Sequence, residues 1–155
     1  MDLEISPLAP KSFPQMPFVN GVRMATAKTE TKYKGRSDLL LIDLVSGTSV
    51  AGLLTKSTAP GHPVIWCRDR LPKGKARGLV VNAGNANVFN GKSGMQAVEA
   101  IAKSVGTLLH CTKNEVYVAS TGVIGEKLDP SKIVEKIATL HDDLQNQNWK
   151  DAAIA

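Results

Sequence analysis

The chain has 155 residues, 43% of them apolar and 21% charged, with a formal net charge of +5 and a pI near 9.3. That length and mixture suit a globular protein with a real core and exclude a disordered chain, and the longest apolar runs, LLLI and GLVV, are far too short to cross a bilayer. Aromatic residues make up only 5% and no zinc-finger or RNA-recognition signature is present, which argues against a stacking platform for single strands.

Residues 1–20 carry four of the eight prolines and no sustained hydrophobic period, so they read as an extended arm ahead of a single domain over 21–155. The arm has acids and prolines where a signal peptide needs a basic start and an apolar stretch, and a cytoplasmic location is expected. Val22 to Thr26 is strand-like, and Tyr33 to Ser37 is a polar turn. Leu39 to Leu44 (LLLIDL) suits a buried strand, with Ser49 to Thr55 (SVAGLLT) following at hairpin spacing. Beyond Pro60, Gly61 and Pro63, the run Val64 to Cys67 is a further strand candidate. The basic turn LPKGKARG then leads into a strand at Leu79 to Val81.

Residues 82–91, NAGNANVFNG, hold four asparagines and two glycines. Both residue types tolerate left-handed backbone angles, and asparagine amides bond to nearby backbone. Such a segment is either a loop held by its own side chains or one that frames a small-molecule site, with Asn82, Gly84, Asn85 and Asn87 as the framing residues. A helix follows, opened by a capping box of Ser93 and Gln96 and carrying Val98, Ile101, Ala102, Val105 and Leu108 on one face. Asp129-Pro130 is a second helix start, with Ile133, Ile137 and Leu140 as its buried face. A last helical stretch is expected from Leu144 through Trp149 toward Ala155. Strands and helices in this order predict an α/β or α+β fold, mixed sheet with packed helices.

The sharpest chemical feature lies between those two helix starts. Val116 to Ser120 (VYVAS) reads as a buried strand that empties into a turn, Thr121-Gly122-Val123-Ile124-Gly125. A turn of this kind at a strand end can aim backbone N–H groups and a threonine hydroxyl at one point, which is the geometry of an anion nest or an oxyanion hole. The rest of the inventory supplies no partner for it. His62, His110 and His141 are scattered without metal-ligand spacing, so no metal is expected. His110 and Cys111 are adjacent and do not face each other, and Cys67 and Cys111 have no CxxC spacing, as suits two free thiols. Phosphate-binding loops and the GxSxG elbow are missing. The basic clusters, Lys28 to Arg36 and Arg68 to Arg77, are either solvated loops or a surface for anionic partners.

The segments GVRMATAK, GRSDLLLI, GTSVAGLLT with the following HPV, GLVVNAGNANVFNG and VYVASTGVIGEKLD resemble, in this order, the N-terminal part of the ornithine acetyltransferases, the bifunctional glutamate N-acetyltransferases of arginine biosynthesis. The resemblance runs from about Gly21 to the end and departs from the family pattern around Leu53 to Ser57. It implies a cytoplasmic proenzyme that cuts itself into α and β chains, assembled as an α2β2 heterotetramer. The nucleophile is then the N-terminal threonine of the β chain, which takes acetyl from N-acetylornithine and passes it to glutamate without a cofactor. The family's oxyanion pair falls on Thr121 and Gly122. Ala155 stops short of the Thr-Thr-Asp-Thr substrate-binding segment and of the nucleophile, so the chain is expected to carry half of an active site and to need the β portion for activity and stability. Two other readings stand beside this one: an aminopeptidase-like relative with an N-terminal nucleophile, and a small basic nucleic-acid-binding domain.

Overall fold

The computed structural model describes residues 6–145 and 148–155. In chain order the elements are β1 (Val22–Ala27), β2 (Leu39–Leu44), α1 (His62–Arg68), β3 (Gly78–Asn85), α2 (Gly91–Leu108), β4 (Val116–Val123), α3 (Ser131–Thr139) and α4 (Trp149–Ile154). The strands form one mixed sheet in the order β1-β2-β3-β4, antiparallel except for the parallel pair β3 and β4. Parallel neighbours need a long crossover, and the 18-residue α2 supplies it. The fold is α+β.

One face of the sheet carries the core. Leu41, Val80 and Val118 stand in register across β2, β3 and β4 and are all buried. The apolar stripe of α2, with Val98, Ile101, Ala102 and Val105, belongs to the same cluster, as do Ile133, Ile137 and Leu140 at α3. Full burial of each such branched side chain contributes about 1.5–3 kcal/mol. Gly78 marks how closely α2 approaches, because a Cβ there would meet Val105 Cγ1 at 3.0 Å. On the opposite face, Leu40, Ile42, Leu79 and Val81 are only half-buried.

Several sequence expectations need correction. Ser49 to Thr55 is not a strand. Only Ser49 forms an isolated bridge, to Lys75, because both edges of β2 are already paired with β1 and β3. Val64 to Cys67 is helical. Pro63 opens α1 from its first turn, and Pro63, Trp66 and Cys67 are buried at the i, i+3, i+4 spacing of a helix, a pattern four apolar residues cannot display by themselves. The capping box expected at Ser93 and Gln96 is absent, since α2 begins at Gly91 and the Ser93 hydroxyl donates to the Asn90 carbonyl at 2.8 Å. Thr112 and Glu115 form one instead, before β4. The Asp129 cap is present: its Oδ1 accepts from the Ser131 N–H at 3.0 Å, and Pro130 already has helical angles. The last helix is confined to Trp149–Ile154; Gln145 bridges Met24 beside β1, and residues 146 and 147 lie outside the described residues.

Candidate functional site at the ends of β3 and β4

The expected turn at Thr121-Gly122 is instead the last part of β4, which runs to Val123 before the chain bends. Asn82 pairs with Ser120, Ala83 with Thr121, Gly84 with Gly122 and Asn85 with Val123. The NAGN stretch is likewise strand rather than loop, and the loop begins at Ala86. Both strands carry a glycine of left-handed φ at their next-to-last position, so residues typical of turns stand here within strand. Gly84 has φ +113 and Gly122 φ +127, and a Cβ on Gly122 would lie 2.2 Å from the Gly84 carbonyl carbon. Only glycine opposite glycine lets the two backbones come this close.

Alternation puts the Thr121 side chain, with Ala83 and Ala119, on the less buried face of the sheet. The outer edge of β4 is protected along its first half by α1. Trp66 Nε1 donates to the Val116 carbonyl at 2.9 Å, and the Cys67 thiol donates to the Val118 carbonyl at 3.3 Å. Main-chain groups alternate sides along a strand, so those of Ser120 and Gly122 follow on this same edge, beyond the two carbonyls that α1 caps. By this alternation the Gly122 N–H lies on the outer edge of β4, and Thr121 and Gly122 are both exposed. An oxyanion site requires two donors aimed at one oxygen.

The four asparagines are mostly engaged in holding the backbone. Asn82, 5% exposed, accepts from the Ser120 hydroxyl at 2.6 Å and donates to the Asn85 carbonyl at 3.0 Å. Asn87 is fully buried: its amide donates to the Gly94 carbonyl, its oxygen accepts from Asn90, and its N–H donates to Asn85 Oδ1. Asn85 also donates to the Glu126 carbonyl, which ties β3 to the segment after β4. Of the four framing candidates, Gly84 and Asn85 line a polar cavity of about 240 Å³ together with Thr31, Lys32, Glu126 and Lys132, while Asn82 and Asn87 are closed off beneath the surface.

A larger, apolar cavity of about 500 Å³ runs along α1 and the outer part of β4, from Leu71 and Tyr117 to Ala119 and Ser120. Cys67 lines it, but burial pushes its thiol above the ordinary value, against the smaller opposing effects of the Val118 bond and Arg70. A thiol held protonated in this way is a poor nucleophile. Cys111 is raised as well, chiefly by burial. Among the described residues no three His, Cys, Asp or Glu side chains converge as metal ligands, and no helix is long and apolar enough to cross a membrane.

The arginine biosynthesis bifunctional protein ArgJ of Mesorhizobium japonicum is 51% identical over 159 residues, and that of Agrobacterium fabrum 48% over 155. In both cases the match covers 100% of this chain and 38% of the relative, so the chain spans well under half the length of the curated proteins it resembles. The crystal structure of an ornithine acetyltransferase from Mycobacterium tuberculosis, complexed with ornithine, superposes with a TM-score of 0.81 at 27% identity, covering 88% of this chain and 74% of that one. The ArgJ structure from Bacillus halodurans gives 0.72 at 28% identity, covering 76% and 62%. With the sequence pattern of the ArgJ family matching residues 23–155, and with relatives of this similarity along the whole chain, the protein belongs to the ArgJ family.

Proposed function

We propose that this chain forms the oxyanion-stabilising portion of a glutamate N-acetyltransferase, acting in arginine biosynthesis by moving acetyl from N-acetylornithine to glutamate. The observation that supports this most is the exposed pair Thr121 and Gly122, presented on rigid strand backbone at an edge that α1 leaves open. The nucleophile is a threonine hydroxyl in the part of the relatives' length that this chain does not span, released as a chain terminus by self-cleavage. It attacks the acetyl carbonyl of N-acetylornithine, and negative charge gathers on the carbonyl oxygen. The Thr121 hydroxyl and Gly122 N–H stabilise that charge, so their interaction grows from ground state to transition state. Collapse breaks the amide bond, ornithine leaves with the proton from the hydroxyl on its amine, and an acetyl-threonine ester remains. Glutamate's amine then attacks the ester through a second oxyanion in the same place and returns the threonine hydroxyl. No cofactor takes part. The two portions of the precursor assemble as α2β2 in the cytoplasm.

The test is acetyl transfer from N-acetylornithine to glutamate by the complete protein, comparing it with Thr121→Ala. A fall in kcat of about a hundredfold or more with little change in KM is expected. Activity that ignores the substitution removes the oxyanion role but keeps the reaction. A correctly processed protein that hydrolyses N-terminal amide bonds and transfers no acetyl turns the assignment to the aminopeptidase-like relative.

A further inference from the structure

We propose that Ser120 and Asn82 are positioning residues for the Thr121–Gly122 pair, a role that rests on the acetyl-transfer reading above. On the covered face of the sheet the in-register row Leu41, Val80 and Val118 is apolar. Two residues further along, the equivalent row is Leu39, Asn82 and Ser120. An aliphatic pair at the last two positions would fill the same space without desolvating an amide and a hydroxyl. The polar pair instead makes a directional bond: Ser120 Oγ donates to Asn82 Oδ1 at 2.6 Å, while Asn82 Nδ2 donates to the Asn85 carbonyl at 3.0 Å.

These two bonds bracket the place where the backbones come closest. One end of the Asn82 amide holds β4 at the residue before Thr121, and the other holds β3 at the residue after Gly84. Between them lie Gly84 and Gly122, which have no side chains through which packing could fix their separation. The Asn82 clamp thus adds a side-chain restraint to the backbone ladder that sets Gly122 against β3. Asn82 is buried with both ends of its amide engaged, so it acts through the pair. A misplacement of about an ångström at an oxyanion donor costs on the order of tenfold to a hundredfold in rate.

The test uses the complete protein and the same acetyl-transfer assay. Ser120→Ala removes the bond, leaves Asn82 Oδ1 unpaired and is expected to lower kcat about tenfold with KM unchanged within about twofold. Ser120→Thr restores the hydroxyl and returns kcat to within about threefold of the parent, which a requirement for small volume alone would not produce. An unchanged kcat in Ser120→Ala, or failure of Ser120→Thr to rescue, would each overturn the positioning role while leaving the oxyanion assignment standing. If Thr121→Ala is itself silent, the oxyanion assignment fails and the positioning role fails with it, whatever Ser120 does.

Discussion

At φ +127, with the Gly84 carbonyl carbon 2.2 Å from where a Cβ would sit, residue 122 excludes any side chain on two independent grounds. Gly125, three residues on, separates them: its φ of +83 is also left-handed, yet a Cβ there would meet nothing within 4 Å. Gly125→Ala therefore carries only the conformational cost, about 1–2 kcal/mol. Gly122→Ala adds a clash with backbone that no rotamer change relieves, and a loss of more than about 3 kcal/mol is expected. Urea unfolding of the two variants against the parent checks this, and equal losses would show that the close approach of β3 and β4 is not what Gly122 is for. The contrast also explains what could be read in the sequence. Thr121-Gly122 is legible as a backbone motif because a strand-like run meets glycines at Gly122 and Gly125 that permit a turn and a close approach. Ser120 gave no such signal, since its importance comes from the Asn82 that the fold brings opposite it from 38 positions away.

At the scale of elements, legibility followed length and period. The five-position apolar stripe of α2 and the run of β2 identify themselves, whereas the short runs at 49–55 and 64–67 do not, because strand and buried helix look alike over so few residues. Tertiary pairing decided both: β2 had no free edge for 49–55, and Trp66 and Cys67 use helical spacing to reach two carbonyls on the edge of β4. The start of α3 was legible because its signal is local. Asp129 is held below the ordinary carboxylate value, first by its bond from the Ser131 N–H, then by the Ser131 side chain and nearby lysines. A depressed folded value means the bond stabilises the fold above the unfolded-state value near 3.8 and is lost as pH falls through the lower folded value. Asp129→Ala is accordingly expected to be less stable than the parent at neutral pH, with the gap closing as pH falls below about 4. Thermal melts of both proteins between pH 2.5 and 7 are the check (about four points suffice to define the trend), and a gap that is constant with pH would mean the carboxylate is not the capping group.

For the whole molecule the decisive asymmetry is between the two faces of the sheet. One face is closed by α2 and α3, while Leu40, Ile42, Leu79 and Val81 on the other remain half-buried, and Leu53, Phe89 and Ile124 stand 100%, 73% and 60% exposed. Phe89 and Ile124 follow β3 and β4 at the same end as Thr121, so the exposed apolar surface adjoins the candidate site. Surface of this kind, in a chain that spans 38% of its relatives' length, fits cover by the remaining polypeptide. A partner that binds only the folded chain raises its stability by mass action, and for a protein of this size each kcal/mol moves Tm by about 2–4 °C. The isolated chain is thus expected to bind a hydrophobic dye and to melt at least about 5 °C below the same chain co-produced with the remaining polypeptide, with dye binding lost in the complex. If the isolated chain is monodisperse, dye-silent and unfolds in two states at a Tm that co-production does not raise, the half-buried face is a solvated surface. The apolar cavity ending at Ser120 would then be complete as it stands, and the acetyl-transfer site would have to be assembled from Thr121 and Gly122 without help from that face.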